Sequence, residues 1–173
     1  MALEKVLVMS RARVIVLAQF IVLLSAAVFA PLVHNQIITG SIVNATLFVS
    51  AALLGLEGAI LIGLLPSLFA LTAGTLPMAL APLIPFIMLS NILLVLVFSS
   101  LGKADYWLKM VSAAVLKFIF LSAVSYWVVN LLLPGKIAGA AAAMLNWPQL
   151  ITALLGGFLA YAVLRSGQFI SNK

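Results

Sequence analysis

Carboxylates are nearly missing from this 173-residue chain, which has three Asp/Glu against nine Lys/Arg. Charged residues make up 7% and apolar residues 66%, with a mean hydropathy of +1.34. A soluble fold of this size needs a charged surface, and so few charges cannot cover one, so the expected solvent is lipid. Cysteine is absent, which excludes disulfides, thiolate chemistry and Cys-based metal sites. There is a single histidine, His34, and there is no HExxH, no carboxylate pair and no phosphate-cradling Gly-rich loop. Neither catalysis nor a metal or cofactor site is expected, since no set of groups could share the work of acid, base and nucleophile. Proton-coupled transport lacks an intramembrane Asp or Glu to act as a relay. The net charge of +6 comes from residues scattered singly between apolar runs. They form no basic stripe of the kind that binds nucleic acid.

What is present is a series of apolar runs. About 20 apolar residues cross a bilayer as a helix, and that ruler predicts an all-α integral membrane protein, a single domain of six transmembrane helices over 13–33, 39–55, 58–74, 82–101, 106–133 and 147–166. The first run lacks a small-residue cleavage pattern and is read as a retained helix. Gly55-Leu56-Glu57-Gly58 predicts a tight turn. Pro82 and Pro85 open the fourth span, and Asn146 with Pro148 opens the last, where a missing N–H does least harm.

Orientation follows from the positive charges. With the N-terminus in the cytoplasm, Lys5, Arg11, Arg13, Lys103, Lys109, Arg165 and Lys173 fall inside, Lys136 falls outside, and Lys117 lies within a span. Both termini are therefore expected in the cytoplasm. Glu4, Glu57 and Asp105 land on that same side, so the outer half carries no carboxylate.

Polar residues in and near the spans are the candidates for chemistry. "PLVHNQIITGS", residues 31–41, breaks the first apolar run with His34, Asn35, Gln36 and Thr39, more polar groups than a turn requires. Asn44 lies just below. Ser122, Tyr126 and Asn130 recur every fourth residue near Trp127 and Trp147, which fits either an interfacial aromatic belt or one wall of an outward-facing pocket. Lys117 points roughly 140–180° away from that stripe at 100° per residue. It is expected to snorkel toward the inner interface or meet a partner helix, with a counter-ion role as the alternative. Asn91 is expected to bond a neighbouring helix, and Ala153, Gly156, Gly157 and Ala160 to form a small-residue packing face. The apolar segment 75–86, with three prolines, is either a lid or a re-entrant turn.

The six short spans, the polar loop in "HNQIITGSIVNATLFVSAALLGLEGAILIG" and the last helix "NWPQLITALLGGFLAYAVL" together resemble a substrate-binding S component of the energy-coupling factor (ECF) transporters. The resemblance covers nearly the whole chain as a pattern rather than as one diagnostic motif. It implies capture of a vitamin or similar micronutrient at the outer face of a prokaryotic cell membrane, and partnership with a transmembrane coupling subunit and two ATPases. By that resemblance the substrate-binding residues would be His34, Asn35, Gln36, Thr39 and Asn44, facing Tyr126, Asn130, Trp147 and Gln149, under a lid over 75–85. The Ala-x-x-x-Ala spacing that serves docking in the family occurs at Ala26 and Ala30. Without an outer carboxylate, the ligand is expected to be neutral or weakly anionic and hydrogen-bonding, with a ring as one option. The alternatives are a structural scaffold of the cell-shape-factor kind, which needs no pocket, and a stand-alone facilitator.

Overall fold

A chain in lipid has no water to satisfy its backbone N–H and C=O groups, so its apolar runs fold as helices that satisfy them internally. The computed structural model of the protein describes residues 2–133 and 135–169, without the side chains of residues 2–10, Asn130 and Lys136. Among them the helices are α1 (Ala2–Phe29), α2 (Gln36–Leu53), α3 (Gly55–Thr72), α4 (Ile84–Ser100), α5 (Tyr106–Trp127), α6 (Val129–Leu132), α7 (Gly135–Leu145) and α8 (Trp147–Ser166). Short 3-10 turns cover Ala30–Val33 and Met78–Leu83. Six of the helical stretches are long and apolar enough to cross a membrane, the pattern of a multi-pass membrane protein.

The fifth run departs from expectation. A single helix over 106–133 is replaced by α5 ending at Trp127, one turn of α6, and a separate α7 over Gly135–Leu145. The break between α6 and α7 is caused by Pro134. The residue before a proline is pushed out of the helical region, and Leu133 is extended at φ −123° and ψ 144°. Beyond it the alanine-rich run 138–143 has the strongest intrinsic helix preference of any residue type, and a helix restarts.

Leu54 alone separates α2 from α3, so these two helices reverse direction, with Gly55 at φ +76° in the conformation glycine tolerates. Side-chain contacts set the direction of α8. Gly40 and Asn44 meet Thr152, Gly157 meets Met110, and Tyr106 Oη donates to the Gly157 carbonyl at 2.7 Å. Hence α8 runs parallel to α2 and antiparallel to α5. The tightest approach is between α2 and α8, where Gly156 leaves no room for a β-carbon against Asn44, Ala45 and Ser41. Ala153 and Ala160 are fully buried on the same stripe, so the small residues of α8 do form a packing face.

Two apolar clusters fill the bundle. One, around Leu47, Phe48, Ile62, Leu94 and Met110, joins α1–α5 and α8. The other gathers Leu80 and Leu83 of the Pro-rich segment against Leu121, Val124, Val129, Ala138 and Leu145. The Pro-rich connection is thus seated on the α5–α7 end. The large apolar side chains left exposed, such as Val14, Ile21, Leu65, Leu108, Ile119 and Phe158, are those expected to face lipid.

Candidate functional site

The polar loop is smaller than its sequence implied. Asn35 is the N-cap of α2, and its side chain accepts from the Ile38 N–H at 3.1 Å. This satisfies one of the free donors at a helix start. Gln36 and Thr39 therefore stand on α2 itself. His34 takes a left-handed conformation at φ 55°, and its Nδ1 lies 2.6 Å from the Leu32 carbonyl oxygen. That contact calls for the tautomer in which Nδ1–H donates. The Thr39 hydroxyl donates back to the Ala30 carbonyl at 3.0 Å. Gln36 Nε2 and Gln149 Nε2 both donate to the Met144 carbonyl, at 2.9 and 3.1 Å, so the starts of α2 and α8 are tied to the end of α7.

Below this rim lies a cavity of about 330 Å³, close to the lower end of the range usual for small-molecule sites, about 300–1,000 Å³. His34 and Asn35 at its mouth are exposed, whereas Asn44, Asn91 and Lys117 at its floor are 1, 3 and 3% exposed. From Gln36 to Asn44 along α2 the descent is about 12 Å at 1.5 Å per residue. The walls are mostly apolar, including Pro31, Val43, Pro66, Leu76, Ile87 and Met144.

The floor is one connected network. Lys117 Nζ of α5 donates to Asn44 Oδ1 of α2 and to Asn91 Oδ1 of α4, at 2.7 Å each. Both amides are held in that orientation from behind. Asn91 Nδ2 donates to the Gly63 carbonyl of α3 at 3.0 Å, and Asn44 Nδ2 donates to Thr152 Oγ1 of α8 at 3.3 Å. The Thr152 hydroxyl in turn donates to the Gln149 carbonyl at 3.1 Å. Five helices meet through the Lys117 amine and its neutral acceptors, and among the described residues no Asp or Glu lines the cavity.

This arrangement corrects the expectation for Lys117. The side chain does not reach an interface; it is enclosed in the bundle. Its angular separation from the Tyr126 face is as expected, but the inward face is the one that Lys117 occupies. Met110, Ala113, Ala114, Lys117, Leu121 and Val124 form the buried stripe of α5. Tyr126 and Trp147 are 72 and 63% exposed and line no part of the cavity. The Asn130 side chain lies outside the described residues. His34, Asn35, Gln36, Thr39, Asn44 and Gln149 do line the cavity, joined by Asn91, expected only to bond a neighbouring helix, and by Lys117, expected outside the pocket. Of the Pro-rich segment only Thr75 and Leu76 reach it. Ala26 and Ala30 do not share an exposed face. Ala26 is exposed while Ala30 is buried among core residues, three positions after the fully buried Ala27 and on the same helix face.

A second cavity, at the opposite end, is bordered by Lys103, Asp105, Lys109 and Tyr161. It carries acid and base together and holds no enclosed charge. No protein-family model, curated protein or solved structure matches this chain.

Proposed function

We propose that the chain is the substrate-binding membrane subunit of an ECF-type importer, capturing a vitamin-like micronutrient and delivering it through a coupling subunit driven by two ATPases. The observation that carries this reading is the cavity, which descends from the exposed His34–Asn35 rim to a fully enclosed Lys117–Asn44–Asn91 floor. A scaffold has no use for such a hollow. In this reading the chain is a binder and not an enzyme.

In this reading the cavity end faces outward in a prokaryotic cell membrane and both termini lie in the cytoplasm. Charge asymmetry supports it. Arg11 and Arg13 of α1, and Lys103, Lys109 and Arg165 at helix ends or turns, lie in the half of the bundle away from the cavity, where an excess of Lys and Arg marks the cytoplasmic side. The absence of cysteine makes orientation simple to test. A cysteine replacing Met78, which is 74% exposed, should react in intact cells with a membrane-impermeant maleimide, and one replacing Lys103 should react only after lysis.

The function itself is tested by gentle purification from the native membrane. The expected result is a complex with a coupling subunit and an ATPase pair, together with ATP-dependent substrate uptake after reconstitution. Recovery with cell-wall machinery instead, or solute flux through liposomes carrying this chain alone, would replace the importer reading with the scaffold or the facilitator.

A further inference from the structure

An ammonium in a low-dielectric interior is normally paired with a carboxylate, because neutral hydrogen bonds offset only part of its lost hydration. Lys117 is 3% exposed, and its two bonded acceptors are the neutral amide oxygens of Asn44 and Asn91. Glu57 and Asp105, the acids among the described side chains, belong to the turns at the other end of the bundle. An ammonium has three N–H donors; two are bound to the asparagines, and Lys117 borders the cavity. The amides cannot turn to offer their nitrogens, because Asn91 Nδ2 is bonded to the Gly63 carbonyl and Asn44 Nδ2 to Thr152 Oγ1. With Lys117 protonated, the floor is therefore a fixed site with one positive charge, a free donor and no negative group among the described residues.

We propose that the cavity takes a small organic anion, with a single carboxylate or similar group seated on the Lys117 ammonium between Asn44 and Asn91. The walls define the rest of the ligand. Val43, Pro66, Ile87 and Met144 suit a compact apolar body, and Gln36, Thr39 and Gln149 near the mouth provide polar contacts to its far end. The anion supplies the missing counter-charge, so affinity and selectivity both arise at the floor. This inference rests on the capture reading and names the class of molecule captured.

The test uses the full-length protein in detergent and a panel of paired probes, each monocarboxylate set beside its own primary amide. Benzoate with benzamide and hexanoate with hexanamide are suitable, and thermal unfolding with calorimetric titration gives the readout. Any small molecule retained from the native membrane is identified by native mass spectrometry. Anions should raise the melting temperature and bind at least about 30-fold more tightly than the matching amides, as expected for one partner of an enclosed, hydrogen-bonded charge pair. Lys117→Met should abolish that preference. Asn44→Asp is the variant that guards against misfolding. It places a carboxylate against Lys117 while the Thr152 hydroxyl can turn to donate to it, so the protein should fold and lose anion binding. Amides or cations that bind wild type as well as the anions, or a neutral retained molecule, overturn the anion inference and leave the capture reading standing. A wild-type protein that retains nothing and responds to no probe of any charge overturns both.

Discussion

Closeness of α2 and α8 is what holds Asn44 in place at the cavity floor, and Gly156 is where that closeness can be measured. A β-carbon built on Gly156 would lie 2.6 Å from Asn44 Cβ, 2.8 Å from the Ala45 nitrogen and 2.8 Å from the Ser41 carbonyl oxygen. None of these atoms can swing aside, because two are backbone and the third is fixed to it. Carbon atoms reach their best contact at about 3.5–4.0 Å, so Gly156→Ala must part the helices by about 1 Å. The Asn44–Thr152 hydrogen bond, at 3.3 Å, is already at the long end of the usual range and would break. Overpacking costs about 1–3 kcal/mol, and the lost bond adds about 1 kcal/mol. At about 2–4 °C per kcal/mol for a chain of this size, the melting temperature should fall by roughly 4–16 °C. Gly139→Ala is the control, since a β-carbon there meets nothing within 4 Å. It lies on α7, where alanine is favoured over glycine by about 1 kcal/mol. Thermal unfolding of both variants in the same detergent decides the matter. If Gly156→Ala melts with wild type, α2 and α8 are not in contact as described.

Four further outcomes are expected. Lys117→Met should destabilise the protein by leaving two buried amide oxygens without a donor, at about 1–3 kcal/mol each; adding Asn44→Leu and Asn91→Leu should recover much of that loss, because an apolar replacement of the whole network removes the unmet groups. Denaturant titration would show the three substitutions to be strongly non-additive, and simple additivity would refute the network. Asn35→Ala should cost about 1 kcal/mol through loss of the α2 cap, and Asn35→Ser should restore it; equal stability of the two would mean that Asn35 does not cap α2. Gln36→Ala and Gln149→Ala should each be mild, whereas together they strip both side-chain donors from the Met144 carbonyl and cost more than their sum, read by hydrogen exchange at the α7–α8 junction. Pro134→Ala should extend helix through the α6–α7 break and raise helical content, because the restriction on Leu133 is lifted; an unchanged circular dichroism spectrum would place the cause of the break elsewhere.

The helices were legible because lipid leaves the backbone no other way to satisfy itself, and six apolar runs of the right length have one reading. The break before α7 was legible too, in Pro134, but no residue marks the interruption at Val128, and hydropathy ran straight through it. The rim of the cavity could be read from its density of polar side chains. Its floor could not. Asn44, Asn91 and Lys117 lie on three helices, and their convergence depends on how each helix is rotated, which hydropathy does not record. The misjudged rotation was that of α5. Aromatic residues near a helix end do not mark the inside of a bundle in lipid, whereas small residues do, because close helix approach needs small side chains. Ala113 and Ala114, fully buried one turn before Lys117, were the signal for the inward face, whereas Tyr126 and Trp147 sit exposed near helix ends as interfacial aromatics do. With α5 turned this way, an ammonium that looked like a snorkelling surface charge becomes the centre of the interior. Packing alone gives no reason to keep it there, since an apolar network of similar volume would be at least as stable. A buried charge balanced by neutral groups, and bordering an open cavity, is accounted for by a molecule that arrives with the opposite charge.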